Sequence, residues 1–164
     1  MAGLFLLALA TPSSGCERAS ATDEIRGLVR ASARAASKHD VGGVLAPFAD
    51  DFCGAWSDAP LLRRGRSGSG CGGLTRADVR RAVTAQLLPK GWVRVFIPNL
   101  DVEVEEAARA AVTVDAVLAR GTEVERLEDL LPAHGDAFRF DFALERQGGD
   151  WLIVSGRMAR RRFP

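Results

Sequence analysis

The chain has 164 residues, 47% hydrophobic and 26% charged, enough apolar material for one domain with a real core and too much for a disordered polymer. Its 22 Lys and Arg against 21 Asp and Glu leave a net charge of +1, so no global field draws it to nucleic acid or membrane, and only local patches could do so. Tyrosine is absent altogether, which removes one common acid–base and oxyanion-holding group.

The opening stretch, MAGLFLLALATPSSGC, reads as an export signal. Its apolar run from Leu4 to Ala10 is far shorter than the roughly 20 residues that span a bilayer, but it suits a signal core. Ser13-Ser14-Gly15-Cys16 resembles the lipobox of bacterial lipoproteins, in which a small residue precedes a cysteine that is lipidated and becomes the mature N-terminus. Ser13 replaces the leucine-like residue of that motif, and no Lys or Arg precedes the apolar run. Ordinary cleavage after Ala8-Leu9-Ala10, giving soluble secretion, and an uncleaved terminus stay open as alternatives. The layout expected is a signal peptide over 1–15, a tether over 16–22 and a single domain over 23–164.

If Cys16 carries lipid, Cys53 and Cys71 form an even remainder, which an oxidising compartment would join. Such a bridge closes a loop of about 19 residues and stabilises by roughly 3 kcal/mol in the chain-entropy model. Two unrelated free thiols are the alternative. A metal site is not expected, because the two cysteines with His39 and His134 match no zinc-ligand spacing.

In chain order, Asp23 is placed to cap a first helix, whose apolar stripe is Ile25, Leu28, Val29, Ser32 and Ala36. Asp40 starts a second, short helix that turns Val41, Val44, Leu45 and Phe48 inward, with His39 as a solvent-facing turn residue before it. From Phe52 to Leu74 the glycines and arginines read as a loop, and no Gly-Lys-Ser/Thr follows to make it a phosphate cradle. Thr75 and Asp78 open a third helix with Val79, Ala82, Val83, Gln86 and Leu87 on its inner stripe. Trp92 to Glu105 alternates as a strand whose parity changes at Pro98, a sign of a bulge, and Ala107 to Arg120 continues the meander. After a long connection, Phe138, Phe140, Phe142 and Leu144 share one face of a strand. A Gln147-Gly148-Gly149-Asp150 turn then leads into the more apolar Trp151–Met158.

Helix, short helix, loop, helix and then long antiparallel strands resemble the nuclear transport factor 2-like superfamily, which includes SnoaL-like proteins and ketosteroid isomerase. The residues that carry the resemblance are His39-Asp40-Val41, Ala49-Asp50-Asp51-Phe52 and Gly148-Gly149-Asp150-Trp151, within a span of about 23–160. It implies an α+β, cystatin-like roll, with three N-terminal helices packed in the concavity of a strongly curved antiparallel sheet. A cone-shaped interior with a cavity follows, and a homodimer through the outer face of the sheet.

The chemistry implied by the resemblance is thinner. Ketosteroid isomerases pair a proton-moving carboxylate with a tyrosine and a protonated acid, and a chain without tyrosine cannot carry that oxyanion hole. Relatives that dehydrate or cyclise use aspartate–histidine pairs, whereas His39 and His134 both sit in loop sequence. Asp115 and Asp141 are the carboxylates left, mid-strand among Arg109, Thr113, Arg139 and Glu145, as on a solvated face. Phe96, Phe138, Phe140, Phe142 and Trp151 are available either to line a cavity or to fill the core. Arg157, Arg160, Arg161 and Arg162 form a basic end that could meet anionic lipid. The reading is an exported, lipid-anchored, non-catalytic ligand-binding or interaction domain of the cell envelope, facing the periplasm or exterior. It needs no cofactor, binds no nucleic acid, and has a small apolar ligand or an envelope protein as partner. The alternative is a SnoaL-like lyase or isomerase acting on an apolar substrate.

Overall fold

The structure, a computed structural model, describes residues 14–56, 73–87, 93–120 and 135–161. Within these residues three helices, α1 (Ser14–Ser37), α2 (Val41–Leu45) and α3 (Arg76–Leu87), accompany six strands. The strands are β1 (Phe48–Trp56), β2 (Leu74–Thr75), β3 (Val93–Glu106), β4 (Arg109–Arg120), β5 (Gly135–Gln147) and β6 (Asp150–Arg161). They form one curved, unclosed sheet in the order β2-β1-β6-β5-β4-β3. This is the α+β roll expected, with one departure: β1 runs parallel to β6, so the sheet is not wholly antiparallel.

Helix α1 starts earlier than Asp23. Glu17 to Ala21 contains no helix breaker, and Ala21 continues the inward stripe four residues before Ile25. Both are core residues, Ile25 fully enclosed, so 16–22 is helix and no loose tether. The helix ends in a Schellman arrangement: the Asp40 N–H donates to Ala35 O at 2.9 Å and the His39 N–H to Ala36 O at 3.1 Å. His39 takes the left-handed turn with φ 59°. Asp40 then serves the next element, its carboxylate accepting from the Gly43 N–H at 2.9 Å to cap α2.

The second correction concerns 48–56. Phe48, read as the last inward residue of α2, and Phe52, read as the start of a loop, belong to one strand. FADDFCGAW lacks clean alternation, so its extended state comes from pairing with β6, Gly54 opposite Gly156 and Trp56 opposite Met158. The third helix begins as expected. Thr75 Oγ1 donates to Asp78 at 2.7 Å, the Thr75 N–H donates to the same carboxylate at 2.9 Å, and the Asp78 N–H returns a bond to Thr75 Oγ1. These two Thr75 bonds, helped by Arg81, hold the buried Asp78 carboxyl below its usual range.

Strand β3 shifts register between Phe96 and Asn99, around Pro98, and Gly148 and Gly149 take φ 61° and 99° in the β5–β6 turn. Along β5 and β4 the even-numbered residues turn into the concavity and the odd-numbered residues turn out. Val112 is thus paired with Phe142, Val114 with Phe140 and Ala116 with Phe138 on the inner face. A further register shift between Ala143 and Leu144 resets β6, putting Ile153 and then Gly156, Met158 and Arg160 on that face.

Candidate functional site: an apolar cavity

The concavity is filled unevenly. At the end next to the β5–β6 turn, Ile25, Val112, Leu144 and Trp151 are all buried, at 3% exposure or less. An Arg146–Glu24 ion pair of 3.1 Å ties α1 to the hairpin there. Toward the other end, where Ser37 Oγ of α1 accepts from the Val95 N–H of β3 at 3.0 Å, the helices and the sheet leave between them a cavity of about 450 Å³. Helix α1 lines it with Leu28, Ser32 and Ala36, α3 with Val79, Val83 and Gln86, and the sheet with Phe138, Phe140, Phe142 and Met158. A volume of this order suits a small organic ligand.

The aromatic side of the cavity is built by strand parity. Phe140 and Phe142 are stacked at 5.7 Å with planes 17° apart, and Phe138 follows at 6.2 Å from Phe140. Phe48 closes the row edge-on to Phe142 at 6.2 Å. Gly156 lies under Phe142, and a Cβ added there would sit 2.7 Å from the ring, so the close approach of ring to strand requires glycine. Polar groups gather at one end of the cavity: Asp136 and Arg160, joined as an ion pair, sit on the inward positions of β5 and β6. Ser32 and Gln86 face the void from the helices, and Arg157 also borders it.

The structure divides the residues singled out from sequence. Phe138, Phe140 and Phe142 line the cavity. Phe96 does not; it packs against Val117 and Ala119 in a separate small cluster. Trp151 does not either. It is core at the closed end, with the Arg146 guanidinium 5.8 Å from its ring, and its indole N–H has no partner among the described residues.

Asp115 and Asp141 lie on the other face of the sheet, away from the cavity. Arg139 donates two bonds of 2.7 Å to Asp115. That hydrogen bonding, reinforced by the guanidinium charge, holds the Asp115 carboxyl below its usual range against the opposing effect of burial. Asp141 is exposed and accepts a 3.0 Å bond from Thr113 Oγ1. The shift at Asp115 runs opposite to that of a proton-transfer carboxylate. His39 is a helix-ending turn residue, and His134 lies outside the described residues.

Cys53 is half-buried on β1, between Thr75 of β2 and Ser155 of β6. Cys71 and the side chain of Cys16 lie outside the described residues, as do residues 1–13 and Arg162. Among the described residues no group of three or more His, Cys, Asp or Glu is placed to hold a metal. Sequence reasoning missed the Asp136–Arg160 pair. Its signal was available, since Asp136 keeps the even parity of the three phenylalanines, but Arg160 joins it only after the β6 register shift.

No family model matches the chain, and no curated protein does. Solved structures match over nearly its whole length. A nuclear transport factor 2-like protein of unknown function from Pseudomonas putida KT2440 superposes with a TM-score of 0.65 at 18% identity, covering 86% of this chain and 87% of that one. A hexachlorocyclohexane dehydrochlorinase, type 2, gives 0.65 at 15% identity over 92% of each chain. A protein of unknown function with a cystatin-like fold from Nostoc punctiforme PCC 73102 gives 0.59 at 14% identity, covering 85% and 90%. At these identities the likeness speaks for architecture, and the architecture of this chain is that of the nuclear transport factor 2-like fold.

Proposed function

We propose that the protein is a binding domain for a small, largely apolar molecule held in the cavity between the helices and the inner face of the sheet. The observation that carries this reading is the cavity itself: about 450 Å³, walled mainly by Phe138, Phe140, Phe142 and aliphatic side chains, with Asp136, Arg157 and Arg160 as the charged groups among its described lining residues. A fold of this size gains stability by filling such space with side chains, so an unfilled apolar volume is best explained by an occupant.

The neutral dye Nile red tests the reading. Saturable fluorescence enhancement with one site per chain is expected, reduced tenfold or more by Val83→Phe, which puts a ring into the void; the order of magnitude follows from the burial lost. Circular dichroism checks that the variant folds. An absence of saturable binding, or equal binding by the variant, overturns it.

A second reading, a small lyase, is favoured by one finding, the superposition on a dehydrochlorinase. Such an elimination removes a proton as the carbon–chlorine bond breaks and a double bond forms, so a base must face the cavity. Among the described lining residues Asp136 is the one carboxylate, already engaged by Arg160. Chloride release from a chlorinated cyclohexane, lost in Asp136→Asn, would establish this reading in place of the first.

Export and anchoring complete the proposal. Among the described residues no helix is long and apolar enough to cross a membrane, and the anchor proposed is lipid on Cys16. Mass spectrometry of the mature N-terminus measures it. The Cys53–Cys71 bridge has geometric support, because β2 pairs with β1 so that Thr75 faces Cys53, and a Cβ built on Gly73 would lie 3.6 Å from Cys53 Sγ. Cys71 precedes that glycine by two residues in the sequence. A homodimer through the outer sheet face belongs to the same proposal, and sedimentation measures it.

A further inference from the structure

The outward side of α1 carries Arg26, Arg30, Arg34 and Lys38, each four residues after the last. Arg26 lies 3.8 Å from Asp23, but among the described residues no carboxylate is paired with Arg30, Arg34 or Lys38. Like charges at this spacing repel one another and weaken a helix. They are joined by a further cation from far along the chain. Arg94, near the start of β3, stands across a groove from them, and Val95, Phe96 and Ile97 with Ala33 line the groove between. Arg30, Arg34 and Lys38 are exposed, whereas Phe96 and Val95 are only half-buried. The groove is therefore cationic at its rim and apolar at its floor; Ala33, Val95 and Ile97 also border the cavity, but Phe96 and the four cations do not.

The compensating acid lies elsewhere. Asp101, Glu103, Glu105 and Glu106 are exposed on the far part of β3, up to twelve residues from Arg94, about 40 Å at the rise of an extended strand. A chain of net charge +1 thus has a basic end and an acidic end. Such a dipole orients a domain on a flat anionic surface, with the acidic hairpin held away. It is less suited to a flexible polyanion, which would have to follow basic charge around the molecule. The half-buried apolar floor fits the boundary between lipid headgroups and acyl chains, where arginine stems lie along apolar surface and their heads meet phosphate.

We propose that the α1–β3 groove is a docking surface for an anionic phospholipid membrane. The inference does not depend on what fills the cavity.

Flotation of the full chain with vesicles tests it, comparing pure phosphatidylcholine with a phosphatidylcholine–phosphatidylglycerol mixture. Preferential, salt-sensitive binding to the anionic vesicles is expected. The R30Q/R34Q/K38Q variant should lower it by roughly tenfold or more, while its weak binding to the neutral vesicles, its circular dichroism and its Nile red binding stay unchanged. Equal binding to both vesicle types, or no loss in the variant, overturns the proposal. So does a loss produced instead by R157Q/R161Q, which would move the contact to the C-terminal arginines. A single-stranded oligonucleotide that outcompetes the anionic vesicles would replace the membrane with a soluble polyanion.

Discussion

The two ends of the sheet's inner face use the same kind of residue for opposite purposes. Near the β5–β6 turn, Leu144, Val112 and Trp151 are sealed by α1 and form core. A few residues away along the same strands, Phe140 and Phe138 have the same parity and are at least as apolar, yet they border a cavity. The helices make the difference. Beside Leu144 and Val112 the α1 side chains Ala21 and Ile25 complete the packing, whereas beside Phe138 and Phe140 the residues that α1 and α3 present leave space in front of the rings. Apolar alternation therefore specifies which way a side chain points and says nothing about whether another atom lies beyond it.

That contrast breaks most sharply at the closed end. Leu144→Ala removes atoms from a site with 1% exposure and should cost about 2–5 kcal/mol in urea unfolding, with Nile red affinity in the surviving fold little altered. At the open end Phe138→Ala should cost less, about 1–2 kcal/mol, because the half-buried ring already faces a void and its removal enlarges a space instead of creating one. Its larger effect should be on probe binding. If Phe138→Ala proves as destabilising as Leu144→Ala, the two ends are packed alike and the cavity reading loses its basis.

The smallest effect belongs to the outer face. Asp115→Asn should cost no more than about 1 kcal/mol at neutral pH, since the pair with Arg139 is partly exposed at 25% and 34%. Its pH dependence is more specific. The folded carboxyl is the stronger acid, so folding favours its ionised form. The contribution is complete above the ordinary aspartate value of 3.8 and is lost as pH falls below it through the folded-state value. Acid denaturation of the variant should accordingly be less steep below that pH than in the parent chain. Identical acid profiles would show that the pair contributes nothing to folding.

Much of this organisation was legible residue by residue. The Asp40 cap, the Thr75–Asp78 capping pair, the Pro98 bulge and the Gly148–Gly149 turn all follow from local chemistry, and all four stand where the sequence puts them. The face shared by Phe138, Phe140 and Phe142 was legible too, as was the opposite placement of Asp115 and Asp141. Strand β1 was not, because Ala49-Asp50-Asp51-Phe52 has no strand period of its own and becomes extended by pairing with β6, about a hundred residues later. The early start of α1 was hidden by the reading of 16–22 as a tether.

Sequence by itself determined the α+β class, the order of the helices and long strands, the parity of β5 and the regular basic spacing along α1. These are properties of neighbouring residues, set by helix and strand geometry. Only the tertiary structure decided that Trp151 is core while Phe138 borders a cavity, that Asp136 meets Arg160, and that Arg94 completes a cationic groove begun more than fifty residues earlier. Each of these depends on the distance between elements remote in the chain, which no local periodicity encodes.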